Sequence, residues 1–274
     1  MKTIIVPTDF SAVALNAAEY AADLALQLHA ELKLIHVVQM PLVILDVPVP
    51  VENYDASIED ATISMDKLEI RLQQRTKNKV PISGSVVDGS FRTQVMAMMK
   101  SEADVWIVMG TTGTGAVDAL IFGSYTLLAA REFNRPLIIV PPEARFRKIE
   151  NMGLACDMKH VSETIPFNAI SKLFYDLRAR LIVLYVSKPN ENMYPSVLAG
   201  AKSVQINLAR LHPDIRIVTN ENVGDGIVNF VHKEAIDLLL LVPKERNFLE
   251  SLFHKSITKD MVLHPKVPIM IMHY

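Results

Sequence analysis

One glycine-rich stretch constrains the fold of this chain more than any other sequence feature. It begins at Gly110, continues through Gly113 and ends at Gly123-Ser124, which gives the spacing G-x2-G-x9-G-S. Residues 103–109 before it form an apolar run of strand length. The residues after Ser124 repeat their apolar side chains at helical spacing. The sequence therefore predicts a strand, a glycine-rich loop and a helix that begins at Gly123-Ser124.

This arrangement has a chemical use, because glycines without Cβ let backbone N–H groups approach a ligand closely. The unpaired N–H groups and the positive dipole end of a helix N-terminus then attract an anion. Ser124 is expected to cap the helix when the site is empty, or to donate its hydroxyl to a phosphate. The alternative is a tight turn followed by a helix cap. Two nucleotide motifs are excluded, because no Gly-Lys-Ser/Thr follows and Asp118 replaces the third glycine of a dinucleotide fingerprint.

Composition limits the classes of protein to which the chain can belong. Its 274 residues suffice for two domains that each bury a core, and its 28 basic and 30 acidic residues leave a net charge near −2. That balance gives no basis for binding nucleic acid or an anionic membrane. A single cysteine, Cys156, fits a reducing compartment, and no apolar run reaches the length of a signal peptide or a membrane span. We expect a soluble cytoplasmic protein with neither nucleic acid nor membrane as a partner.

The first half alternates between predicted strands and helices. The strands are expected at 3–6, 32–38, 82–89, 103–109 and 136–141, and the helices at 12–29, 56–74, 91–100 and 124–133. Such alternation predicts a parallel, doubly wound α/β sheet with right-handed crossovers. Ser11 is the expected N-cap of the first helix, whose alanine-rich face suits close packing on the sheet. The apolar, proline-broken segment 40–50 is interpreted as a loop folded back on the domain, or as a lid or partner surface.

After the linker at 141–150 the pattern of the first half starts again. Segments 152–157, 179–186, 235–242 and 267–273 parallel the first, second, fourth and fifth strands. This predicts two tandem domains, 1–143 and 149–274, each with a five-stranded parallel sheet. The fifth strand of each would be an exposed apolar edge, and because such edges need covering we expect the two domains to pair as a pseudo-dimer.

The second copy keeps an aspartate, Asp157, in the place of Asp9, but it lacks the glycine chemistry. The alignment puts Pro243 and Arg246 where the first copy has its first two glycines, and Lys255-Ser256 where it has Gly123-Ser124. A proline has no N–H to donate, and the other side chains obstruct the backbone's approach to a ligand. The second domain is therefore interpreted as degenerate and structural.

The G-x2-G-x9-G-S spacing resembles the nucleotide-binding motif of the universal stress protein family. The resemblance extends over nearly the whole chain as a tandem, two-domain member, strongly in 1–141 and weakly in 150–274. It implies the strand order 3-2-1-4-5 in each domain and a ligand site at the carboxyl ends of strands one and four. It also implies a stress-response sensor or adaptor that binds one adenine nucleotide, ATP or AMP/ADP, in the first domain.

The family's site residues carry over to this chain by position. They are Pro7, Thr8, Asp9 and Val37 for the adenosine, Gly110 for the ribose, and Gly113, Gly123, Ser124 and the Tyr125 amide for the phosphates. An ionised Asp9 can only accept hydrogen bonds, which suits ribose hydroxyls or an adenine amino group, although a carboxylate at a helix start explains it without a ligand. Residues 114–122 contain no Lys or Arg. Phosphate charge would then rest on backbone amides, Ser124 and a bound Mg²⁺, and AMP could suffice.

No catalytic residue and no metal-binding set is identified. The eight histidines show no metal-ligand spacing, Cys156 is interpreted as a structural thiol, and there is no G-x-S-x-G elbow. Catalysis is expected to be absent or limited to slow ATP hydrolysis. The alternative function is an interaction scaffold, whose glycine loop is a relic or binds another small ligand; a true ATPase is a third. An unidentified protein partner is expected, and association into a homodimer stays open.

Overall fold

Ten strands form one sheet in the computed structural model, which describes residues 1–39, 51–111, 123–158, 161–189, 195–243 and 267–273. They are β1 (Thr3–Pro7), β2 (Glu31–Val38), β3 (Ile82–Asp88), β4 (Val105–Gly110), β5 (Leu137–Val140), β6 (Asn151–Ala155), β7 (Arg180–Ser187), β8 (Asp214–Thr219), β9 (Leu238–Leu241) and β10 (Ile269–Ile271). Their order across the sheet is β3-β2-β1-β4-β5-β10-β9-β6-β7-β8. Each half of the chain therefore has the expected order 3-2-1-4-5.

Helices connect the strands of the sheet, and those of the first half lie close to their predicted positions. They are α1 (Ala12–Leu28), α2 (Val51–Arg75), α3 (Phe91–Lys100), α4 (Ser124–Glu132), α5 (Val161–Thr164), α6 (Phe167–Leu177), α7 (Pro195–Asn207) and α8 (Val223–Lys233). The Ser11 hydroxyl accepts a hydrogen bond from the Ala14 N–H, so the predicted cap of α1 is confirmed. The second helix begins at Val51 rather than at 56, because no glycine or proline interrupts 51–55. Within the described ranges, no helix combines the length and apolar character needed to span a membrane.

The two halves meet through their fifth strands. β5 and β10 pair antiparallel, with Ile138 opposite Met270, whereas the pairs within each half are parallel. Both of these residues are fully buried. The pairing predicted for the two apolar edges is confirmed, and it turns two five-stranded sheets into one.

A shared apolar core reinforces this pairing on one face of the sheet. That core joins residues of α1 and α2 in the first half to residues of α6 and α7 in the second, among them Leu24, Leu72, Leu173 and Val204. On the opposite face there are two cores, one under α3 and α4, which also includes Ile271 of β10, and one under α8. Helices from both halves therefore share a core on the first face, whereas on the second face each core is covered by helices of one half.

The linker between β5 and β6 is fastened to α1 by two amide side chains. Asn16 Nδ2 donates to the carbonyls of Pro141 and Ala144 at 3.1 and 3.0 Å. Gln27 donates to the carbonyl of Ile149 at 3.2 Å and accepts from its N–H at 3.0 Å. The linker is thus a packed segment of the structure, and the domain boundaries 1–143 and 149–274 stay a prediction.

A charge network connects the halves at the amino-end edge of the sheet. Lys2 Nζ lies 3.1 Å from Asp104 Oδ2 and 2.8 Å from Asp176 Oδ2, and Lys172 Nζ lies 2.8 Å from Asp104. The Lys2 side chain is buried and sits 4.4 Å from the centroid of the Trp106 ring. Burial raises the pKa of Asp104, but hydrogen bonds from Lys172 and Lys2 outweigh it and hold that pKa below its usual range.

Close packing of α1 on the sheet depends on small residues. The face of α1 that meets the sheet is lined by buried alanines, as the sequence predicts. Near the start of α1, a Cβ added to Gly110 would lie 2.6 Å from Val13 Cγ1 and 3.0 Å from the Val13 carbonyl oxygen. Only glycine fits there, because real Cβ atoms do not approach other heavy atoms so closely.

We expect Asp104→Asn to lower the free energy of unfolding by about 2 kcal/mol at pH 7, because it removes a charged partner of two lysines. A carboxyl with a depressed folded pKa stabilises the fold above its unfolded pKa, and this stabilisation is lost as the pH falls through the folded value. The difference in unfolding free energy between wild type and variant should have its full size above about pH 5 and shrink below about pH 4. Urea unfolding over a pH series measures it.

The matched control for this series is Asp60→Asn on the exposed face of α2. We expect it to change the free energy of unfolding by less than about 0.5 kcal/mol. If the difference in unfolding free energy between wild type and Asp104→Asn stayed constant down to about pH 3, it would contradict the ion pairs of Asp104.

Gly110→Ala is expected to destabilise the protein by about 1–3 kcal/mol, because its Cβ would push α1 away from β4. The double variant Val13→Ala/Gly110→Ala should recover part of this loss, since the Cγ1 atom is removed and the Val13 carbonyl remains. Thermal unfolding of both variants tests the contact. Equal midpoints for wild type and Gly110→Ala would show that the close approach does not exist.

Candidate functional site

The expected ligand site lies where β1 and β4 end side by side. β1 ends at Pro7 and β4 at Gly110, and the two strands are parallel neighbours, with Ile5 opposite Ile107. From β1 the chain passes into α1 on one face of the sheet, and from β4 it leads to α4 on the other. The strand order reverses here, so a crevice opens beyond the carboxyl ends of the strands, where ligands bind in sheets of this kind.

The loop from β1 to α1 is organised by its own side chains. The Thr8 N–H donates to the Ile35 carbonyl at 2.9 Å, and Thr8 Oγ1 accepts from the Phe10 N–H at 3.0 Å. Asp9 is exposed, and its Oδ1 accepts from the Ser11 N–H at 3.0 Å. The alternative role of Asp9, a carboxylate at a helix start, is therefore present in the structure.

The end of β2 presents backbone polar groups toward this crevice. In a parallel strand, the N–H and C=O of one residue point to one side and those of the next residue point to the other. In β2 the Ile35 carbonyl faces β1, and the Val38 carbonyl faces β3, where the Gly89 N–H donates to it. The N–H and C=O of Val37 must then point to the side of β1, beyond the end of that strand at Pro7. The family resemblance places the backbone of this residue against adenosine.

At the start of α4 the structure corrects one expectation. The N-cap is Gly123, with φ −58°, and no side chain caps the helix; Ser124 is the first helical residue rather than the cap. The reason is the link to β4, since the Gly123 N–H donates to the Thr111 carbonyl at 2.6 Å and thereby fixes where the helix begins. The first hydrogen bond inside the helix runs from the Leu127 N–H to the Gly123 carbonyl. The N–H groups before Leu127 therefore have no helical acceptor.

Other side chains frame this helix start. Thr126 Oγ1 donates to the Gly110 carbonyl at 2.9 Å, which ties α4 to the end of β4. The exposed Tyr125 ring lies against Phe91 with centroids 4.4 Å apart, and Gln39 donates to its hydroxyl. Both Ser124 and Tyr125 are exposed, as a ligand contact requires. Gly113 and the segment 40–50 lie outside the described residues.

Sequence reasoning assigned no role to His36, although it lies beside Val37. In the structure the His36 ring contacts both the Thr8 carbonyl and Phe10. A signal was available, because the period of two places His36 on the same apolar face of β2 as Leu34. A polar residue at such a position needs a hydrogen-bond partner.

The second half repeats the backbone of the first loop with different side chains. The Cys156 N–H donates to the Leu184 carbonyl at 2.9 Å, as Thr8 does to Ile35, and Met158 has φ +56° where Phe10 has φ +61°. Asp157 thus occupies the place of Asp9, as predicted.

The strand registers correct the other half of that alignment. β9 lies on β6 with Leu239 opposite Gly153, so Val242, and not Pro243, is the counterpart of Gly110. The sequence alignment was one residue off because it matched apolar runs rather than paired strands. Residues 246, 255 and 256 lie outside the described ranges.

The helices of the second half also diverge from those of the first. Where α1 is one helix, the second half has the short α5, then Pro166, then α6. In the first half α2 packs on β2, β3 and α1, whereas α7 packs on α5 and a 3-10 turn at Ala209–Leu211. Gly200 brings α7 so close to the first loop that an added Cβ would lie 2.1 Å from the Met158 carbonyl oxygen. The loop counterpart of the first-half site is therefore closely covered by a helix.

Among the residues that the structure describes, no group of three or more His, Cys, Asp or Glu is placed to hold a metal ion. Cys156 is half-buried, and its Sγ accepts from the Met158 N–H at 3.3 Å. This contact is the counterpart of the one that Thr8 makes to Phe10, which fits the expected structural thiol.

Comparisons with known proteins agree with this architecture. The model of the universal stress protein family matches residues 1–141. A universal stress protein of Methanocaldococcus jannaschii is 26% identical over 142 residues, which cover 51% of this chain and 81% of that protein.

Solved structures show the same fold over the full length. A universal stress protein from Archaeoglobus fulgidus matches 99% of this chain and 98% of its own, with 13% identity and a TM-score of 0.69. A functionally unknown protein from Pseudomonas aeruginosa matches 100% of this chain and 92% of its own, with 11% identity and a TM-score of 0.58. Since the family match spans just over half of the chain, this protein belongs to the universal stress protein family.

Proposed function

We propose that this protein binds one adenine nucleotide in its first half and acts as a stress-response sensor or adaptor with little or no catalysis. The observation that carries the proposal is the convergence of two sets of backbone groups on one crevice. One set is the N–H and C=O of Val37 beyond the end of β1, and the other is the uncapped start of α4.

The two sets suit the two ends of a nucleotide. A backbone N–H and C=O side by side match the acceptor and donor edge of an adenine ring, and Asp9 beside them can accept from a ribose hydroxyl or an amino group. Ser124 and Tyr125 are exposed, and their backbone amides lie at the positive end of α4, where a phosphate is stabilised. Adenosine would therefore lie at β1 and β2, with its phosphates directed to α4.

The charge at this edge favours a ligand with few phosphates or with bound Mg²⁺. Residues 114–122 supply no cation to the loop, and Arg92 near the start of α3 is paired with Glu132. Phosphate charge would be balanced there by amide dipoles and the Ser124 hydroxyl, and by Mg²⁺ when it accompanies the nucleotide. We propose AMP, or ATP with Mg²⁺, as the ligand.

Calorimetric titration of nucleotide-stripped protein with AMP, and with ATP and Mg²⁺, should give one site per chain, because the first loop of the second half is covered by α7. Two sites per chain would show that the second half also binds. No heat with any adenine nucleotide, together with no thermal shift, would favour the interaction scaffold instead.

Gly123→Val should abolish this binding, because its side chain would stand at the start of α4 where the phosphates are placed. The φ of −58° is open to any residue, so the free energy of unfolding of the empty protein should change by less than about 1 kcal/mol. Titration and thermal unfolding of the variant measure both quantities.

The reciprocal control is Asn222→Val, which removes the side chain that caps α8 in the second half. It should cost about 1 kcal/mol of stability and leave nucleotide affinity unchanged. Retained binding in Gly123→Val would place the phosphates elsewhere.

A further inference from the structure

The His36 side chain forms a hydrogen bond to the backbone of the loop that begins the proposed site. Its Nδ1 lies 2.8 Å from the carbonyl oxygen of Thr8. A carbonyl can only accept, so the proton of the neutral ring must be on Nδ1. His36 lies on β2, 28 residues from Thr8 in sequence. Its side chain binds the Thr8 carbonyl just beyond the end of β1, where the paired residues of β1 and β2 end.

The same ring also contacts Phe10, the residue with the least usual backbone in the loop. Phe10 has φ +61°, a conformation that is costly for a bulky residue. Its ring lies on His36 with centroids 4.7 Å apart, and its N–H is held by Thr8 Oγ1. Asp9 stands between these two residues, so the backbone that carries its side chain is held by contacts on either side of it.

The second half offers an internal comparison, because its strands put Tyr185 at the register position of His36. Asn151 lies opposite Arg180 as Thr3 lies opposite Glu31, and five residues further along β7 and β2 stand Tyr185 and His36. Tyr185 is buried in the shared core and carries no ring nitrogen. The first half, which we expect to bind nucleotide, has histidine at this position. The second half, which we do not expect to bind nucleotide, has tyrosine.

We propose that His36 is a positioning residue of the adenosine site, which holds the Thr8–Phe10 loop in its binding conformation without touching the ligand. The inference rests on the proposed function for its effect on affinity. Its structural part, the fixed loop, is independent of any ligand and is measured separately.

Two variants separate the contributions of the ring and the donor. His36→Phe keeps an aromatic ring against Phe10 but leaves the Thr8 carbonyl without its donor, so the Kd for AMP should rise about tenfold. His36→Asn keeps an N–H donor near the position of Nδ1 and loses the ring contact, so the Kd should rise by only about threefold. Tyr185→Phe, at the matching position of the second half, should leave the Kd unchanged.

Nitrogen NMR of the wild-type ring and hydrogen exchange of the loop supply readouts that do not depend on a ligand. We expect the proton on Nδ1, and faster exchange of the Phe10 and Ser11 amides in His36→Phe than in wild type or Tyr185→Phe. A proton on Nε2 in wild type would overturn the inference even if the His36→Phe variant failed to fold.

The two proposals fail in different ways. If wild type binds no adenine nucleotide while loop exchange depends on His36 as expected, the proposed function is wrong and the positioning role stands. If wild type binds AMP and His36→Phe binds it within about twofold, or if loop exchange is unchanged in that variant, the positioning role is wrong and the proposed function stands.

Discussion

The antiparallel pairing of β5 with β10 is the interaction on which the rest of the molecule depends. Each half alone would expose an apolar strand at the edge of its sheet, a surface prone to unwanted pairing. Joining the two edges buries both and places α1 beside α6, so that one core extends across the halves. The linker fastened by Asn16 and Gln27 and the ion pairs of Lys2 then act between surfaces that are already in contact.

Within the first half, the reversal of strand order determines where chemistry is possible. α1 and α4 leave neighbouring strands toward opposite faces, and in sheets of this kind ligands bind beyond the strand ends at such a point. The small residues that allow α1 to pack closely also shape this edge. Gly110 is required by the contact with Val13 whether or not a ribose lies beside it, so one glycine has both a packing role and a proposed binding role.

The two halves share the backbone of their first loop but differ in the side chains around it. Their first loops share hydrogen bonds and a left-handed residue, yet Thr8, Phe10 and His36 are replaced by Cys156, Met158 and Tyr185. Because Thr8, Phe10 and His36 contact one another in the first half, these replacements change a set of interacting residues rather than isolated positions. Together with the close approach of α7 to the loop, it explains structurally why the halves need not share a ligand.

The sequence by itself determined the elements of the first half, four strands of the second half and the repeat, because periodicity and glycine spacing are local properties of the chain. It also pointed to the loop after β1 and to the start of α4. Only the tertiary structure decided that Gly123 rather than Ser124 occupies the N-cap position of α4, that Val242 corresponds to Gly110, and that His36 contacts the Thr8 carbonyl. These features depend on strand register and on contacts between distant segments, which no local pattern records.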